Sequence, residues 1–105
     1  MRVIVKEPGK DPEEREIQNE LKEIQKIVGG FIEIVRVDHD LLMIVNEEGK
    51  LLDLPYNFAY WNDNIVGPVI FCGEKLGEDG GELCDLDDEQ VKYVMIWILS
   101  QIWEL

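Results

Sequence analysis

The chain opens on "RVIVKE", where polar and apolar side chains alternate, and that period of two predicts a strand over residues 2–7. "PGKDP" carries turn chemistry, with proline presetting φ and glycine free to take positive φ. "EREIQ" then reads as a short return strand, which makes a hairpin. From residue 20 the period lengthens: Leu21, Ile24, Ile27 and Val28 fall on one helical stripe, so a helix is predicted over 20–28 with Asn19 as its cap. Gly29 and Gly30 end it, one of them in the left-handed conformation.

"FIEIVRVD" returns to alternation, with Phe31, Glu33, Val35 and Val37 on one face and Ile32, Ile34 and Arg36 on the other. "LLMIV" follows the short connector "DHD" and pairs with it as an antiparallel hairpin. "NEEGK" is a second turn, leading into "LLDLP". "YNFAYWNDN" is aromatic and amide-rich with no clear period. "IVGPVIFCG" is a further strand, and its Pro68 argues for an edge position or a bulge near Gly67. "EKLGEDGGE" reads as a loop and "LCDL" as a short strand. Asp87 and Gln90 have capping-box spacing, opening a last helix over 88–103. Its stripe is Val91, Val94, Met95, Ile98, Leu99 and Ile102, while Tyr93, Ile96, Trp97 and Trp103 lie outside the stripe's centre. The order β-β-α-β-β-β-(β)-α defines an α+β fold, one domain over 1–105 with a mostly antiparallel sheet and two helices. Its expected core includes Val3, Val5, Leu21, Ile24, Val28, Ile34, Ile44, Ile98 and Ile102.

Length and composition narrow this picture. A chain of 105 residues, 46% of them hydrophobic, builds one modest core without disulfides or metals. The net charge of −13 argues against direct binding to nucleic-acid phosphates and to anionic membrane surfaces, which need clustered Lys and Arg. The charge is uneven: residues 1–30 hold seven acids and six bases, residues 31–72 seven and two, and residues 73–105 nine and two. The negative field therefore lies toward the C-terminal half. Cys72 and Cys84 fit neither a C-x-x-C redox motif nor half of a zinc site, so two free thiols are expected. "MRVIVKEPGK" lacks the apolar core of a signal peptide, and no stretch has the roughly 20 apolar residues of a membrane span, so a cytoplasmic protein is expected.

"PGK", "VGGFIEIV" and "NEEGKLLDLPYN", followed by "IVG" and then "LDDEQ", resemble a family of small proteins of uncharacterised function encoded by bacteriophages, plasmids and gut Firmicutes such as Clostridia. The resemblance runs from Arg2 to Gln90. It implies an accessory role in a mobile element and carries over no catalytic residues.

The candidate chemistry is sparse. Gly29-Gly30 follows a helix, whereas a phosphate-cradling loop needs glycines before one, so the pair reads as a cap. His39, the only histidine, sits between Asp38 and Asp40 in a connector, and no serine completes a triad by motif. "EDGGELCDLDDE" lacks EF-hand spacing, so no metal and no cofactor is expected. The aromatic and amide stretch is the better site: Tyr56, Asn57, Tyr60, Trp61 and Asn62, joined by Asn46 of the "NEEGK" turn, combine flat apolar faces with paired donors and acceptors. Tyr93, Trp97 and Trp103 are candidates for an interface, because one sheet cannot cover a helix apolar almost all round. The function this favours is a non-catalytic acidic binding module acting through a protein partner or as a homodimer. The alternatives are a DNA-mimicking inhibitor of restriction or defence, and a binder of, or enzyme on, a nucleotide-like small ligand.

Overall fold

The two strands with the most buried residues lie side by side within one sheet. A computed structural model describes residues 1–103, the side chain of Trp103 excepted. Its elements are β1 (Arg2–Lys6), β2 (Glu13–Glu16), α1 (Leu21–Val28), β3 (Ile32–Asp38), β4 (Leu41–Asn46), β5 (Tyr56–Tyr60), β6 (Asp63–Val66), β7 (Val69–Gly77), β8 (Gly80–Cys84) and α2 (Asp88–Trp103). The sheet order is β2-β1-β7-β4-β3, with β8 on the far half of β7, and β5–β6 form a separate hairpin. Every pairing is antiparallel. The α+β expectation holds, with two more strands than the sequence pattern gave.

β4 is buried at every position, and β7 from Val69 to Gly73, because both faces of the sheet are covered. On one face Ile24 and Val28 of α1 pack on Val3, Val5, Leu42, Ile44, Ile70 and Cys72. On the other, Val94 and Ile98 of α2 and Phe58 and Ile65 of the β5–β6 hairpin pack on Ile4, Met43, Val69 and Phe71. Three expected core residues, Leu21, Ile34 and Ile102, are instead substantially exposed. For Ile34 the reason is width. A helix about 10 Å across spans roughly two strands at 4.8 Å spacing, so α1 shields β4 and β7 and leaves edge strand β3 half-covered.

The local signals held where their chemistry was local. Gly29 takes the left-handed cap (φ 86°) and, with Gly30, donates to the carbonyl of Gln25. Asp87 and Gln90 close a capping box, each backbone N–H donating to the other's side chain at 2.9 and 2.7 Å. Three signals did not hold. "EKLGEDGGE", read as a loop, is mostly strand, the end of β7 pairing with β8 across a tight turn. Asn19 does not cap α1, whose N-cap is Glu20 without a side-chain bond; Asn19 Nδ2 donates to the carbonyl of Leu83, tying the helix start to β8. Pro68 marks no edge, since β7 is paired on both sides. It stands before the strand's first residue, where the chain turns at Gly67 (φ 74°) and no ladder donor is required.

Candidate functional site

The stretch without a period, residues 56–64, forms the β5–β6 hairpin together with Ile65 and Val66, which the sequence pattern assigned to the next strand. It folds across β3–β4 and leaves a groove of about 520 Å³ beneath it. Val35, Met43 and Val45 form the floor, Tyr60, Ile65 and Val66 one wall, and the turn after β4 the other. Glu33, Glu47, Asn62 and Asn64 supply polar groups. That size and mix suit a small molecule or a few side chains of a partner. Lys50 of the turn and Asp63 of the hairpin pair across the groove. The Lys50 hydrogen bond, helped by the N–H of Asn64, holds the Asp63 carboxyl below the usual carboxylate range.

Four of the six sequence-derived binding residues, Asn46, Tyr60, Trp61 and Asn62, line this groove. Asn46 is already committed: buried, it donates to the Val28 carbonyl at 3.1 Å and accepts from the Glu48 N–H at 2.8 Å, joining α1 to the turn. Tyr56 and Asn57 lie elsewhere. Asn57 is buried, donating to the carbonyls of Lys6 (2.8 Å) and Gly67 (2.7 Å) and accepting from Lys6 Nζ at 2.9 Å. It fastens the hairpin to β1, and burial lowers the pKa of Lys6.

Trp61 is the outlier. With Asn62 it forms the two-residue connection between β5 and β6, at φ 54°, and 86% of its surface is exposed. Positive φ is uncommon for a non-glycine residue and strained for a bulky one. Its indole meets Tyr60 edge-on, with centroids 6.4 Å apart.

Of the interface candidates, Trp97 packs within its own chain. Its ring lies 5.8 Å from Phe58, 5.7 Å from Phe71 and 5.7 Å from Tyr60, all centroid distances. The hairpin thus covers much of the α2 surface that the sequence left over. Tyr93 (51%) and Ile96 (64%) remain exposed. The side chain of Trp103 lies outside the described residues.

The other candidates take structural places. His39 is exposed in the β3–β4 turn, its N–H bonded to Asp38, and its carbonyl accepts from Arg36. Ser100 Oγ donates to the Trp97 carbonyl within its helix. Both cysteines are free, and burial pushes the Cys72 thiol up to about 12. Among the described residues no group of His, Cys, Asp and Glu is arranged to hold a metal ion, and no helix is long and apolar enough to cross a membrane.

Fold and groove together define a small antiparallel α+β domain with a ligand-sized groove under an aromatic hairpin. Residues 1–98 match the family described as a domain of unknown function, DUF3846, and the chain belongs to that family. No curated protein and no solved structure matches it.

Proposed function

We propose that the protein is a non-catalytic binding module that engages a partner protein through the groove beneath the β5–β6 hairpin, with Trp61 as its anchor. The observation that carries this is Trp61 itself. Glycine would fill its positive-φ position at a cost lower by about 1 kcal/mol or more. An indole held there in solvent is accounted for if it is buried by something outside the chain, and Trp is a favoured interface anchor. The resemblance to phage and plasmid proteins adds a setting, an accessory of a mobile element acting in the cytoplasm. A second copy of the chain would use the exposed Tyr93–Ile96 strip of α2, and sedimentation would reveal it as a dimer.

Affinity capture from a host lysate tests this, comparing wild type, Trp61→Gly and a control, Leu76→Ala, on the β7–β8 hairpin outside the groove. The expected result is a specific protein retained by wild type and control and lost with Trp61→Gly. A DNA mimic would hold its partner through the carboxylates, so its capture would survive loss of Trp61 and fall with salt. A small-ligand binder would retain no protein. Either result overturns the proposal.

A further inference from the structure

A second depression adjoins the groove on the other side of Tyr60 and Trp61. It measures about 390 Å³, and its walls are Tyr60, Trp61, Tyr93 and Trp97, closed by Val37 and Ala59. Three elements and one turn contribute: β3, the end of β5, the Trp61 turn and one face of α2. The rings are angled to one another. Tyr60 stands at 87° to Trp61 and at 60° to Trp97, with centroids 6.4 and 5.7 Å apart, and Tyr93 lies 6.4 Å from Trp97. Rings set at angles around a cleft present more than one electron-rich face to a single occupant, and a cation within about 6 Å of such faces is attracted by each.

The surroundings carry the matching sign. Beyond Tyr93 the surface dips again, between Asp38, Asp40, Asp87 and Glu89. On the opposite side, beyond Trp61, the groove presents Glu33 and Glu47 beside the Lys50–Asp63 pair, whose charges offset each other. The whole chain has a net charge of −13, which draws cations and repels anions. A neutral apolar group would gain the rings but nothing from this field.

We infer that the aromatic cleft takes the cationic end of an arginine or lysine side chain, presented by a basic segment of the partner protein that runs from the carboxylate-lined dip across the cleft toward the groove. This rests on the binding-module proposal and names the chemistry of the partner.

The test uses the full chain, isotopically labelled, and an acetylated and amidated peptide of alternating glycine and arginine. A glutamate-for-arginine peptide and tetramethylammonium are the other probes. The indole N–H signals of Trp61 and Trp97 should shift saturably with the arginine peptide and stay in place with the glutamate peptide. Trp61→Ala and Tyr93→Ala should each weaken binding by about 2- to 30-fold, the range of one cation–π contact. Tyr93→Phe, which keeps the ring, should restore it, and Leu76→Ala should bind as wild type does. Circular dichroism shows whether each variant is folded. The inference is overturned if the arginine peptide moves neither indole signal, or if its affinity ignores both ring deletions. Tighter binding of tetramethylammonium than of the peptide would overturn it in favour of a free ammonium ligand. A partner captured in a Trp61-dependent way, yet not displaced by the arginine peptide, defeats this inference and leaves the binding module standing. Capture indifferent to Trp61 defeats the module itself.

Discussion

Asn57→Ala should be among the most damaging polar substitutions in the protein. The side chain is buried and makes three hydrogen bonds, to β1 and to the turn before β7: both amide hydrogens go to the carbonyls of Lys6 and Gly67, and its oxygen takes the Lys6 ammonium. Truncation takes one donor from each of two carbonyls, at about 1 kcal/mol each, and removes one of the ammonium's two acceptors, at about 1.5–3 kcal/mol for a charged bond. The Glu7 carbonyl, at 2.8 Å, is the acceptor that stays. The expected loss is about 4 kcal/mol, a large share of the roughly 5–15 kcal/mol that holds a domain folded. Urea unfolding followed by circular dichroism reads this as a lower midpoint at unchanged slope. A double-mutant cycle with Lys6→Met isolates the ammonium bond, with an expected coupling of about 1.5–3 kcal/mol. A loss below about 1 kcal/mol, or no coupling, would refute the clamp.

Cys72 sets an alkaline limit. Its folded pKa is raised from 9.0 to about 12 by burial, so the unfolded chain releases a proton that the folded chain keeps, and stability present below pH 9 is lost up to about pH 12. At 1.36 kcal/mol per unit the loss is about 4 kcal/mol, and Cys72→Ala should flatten most of that slope in urea midpoints measured against pH. Burial lowers the pKa of Lys6 and so works in the opposite sense, raising stability as pH climbs toward 10.5. Gly67→Ala should cost about 1–3 kcal/mol by the same assay, because a Cβ at φ 74° would lie 2.7 Å from Leu54 Cδ1. Asp87→Ala should cost about 0.5–2 kcal/mol through loss of the α2 cap, and an unchanged midpoint would show that the capping box contributes nothing.

What the sequence made legible was whatever a few neighbouring residues decide. The alternation in β3 assigned its two faces correctly, Gly29 stopped α1, and Asp87 with Gln90 started α2. β5 was missed because a register shift between Tyr56 and Phe58 breaks its period of two, placing Asn57 and Phe58 both inward. Pro68 misled because a proline just outside a central strand looks, in one dimension, like a proline inside an edge strand. The exposure of Ile34 depends on how far α1 reaches across the sheet, which periodicity does not encode. The candidate site was half legible. Tyr60, Trp61 and Asn62 stood out by composition, whereas the floor of Val35, Met43 and Val45 and the cleft that Trp61 and Tyr93 line together exist only after the hairpin folds over β3.

The most direct test of the central claim is titration calorimetry of the captured partner with wild type and Trp61→Gly, beside urea unfolding of both. Replacing a strained, exposed indole with glycine should leave the fold as stable or raise its stability by up to about 1 kcal/mol. Binding should weaken at least tenfold, the loss of an anchor contributing about 1.4 kcal/mol or more. Equal affinity for the two proteins, both fully folded, would contradict the claim that Trp61 and its groove are the binding site.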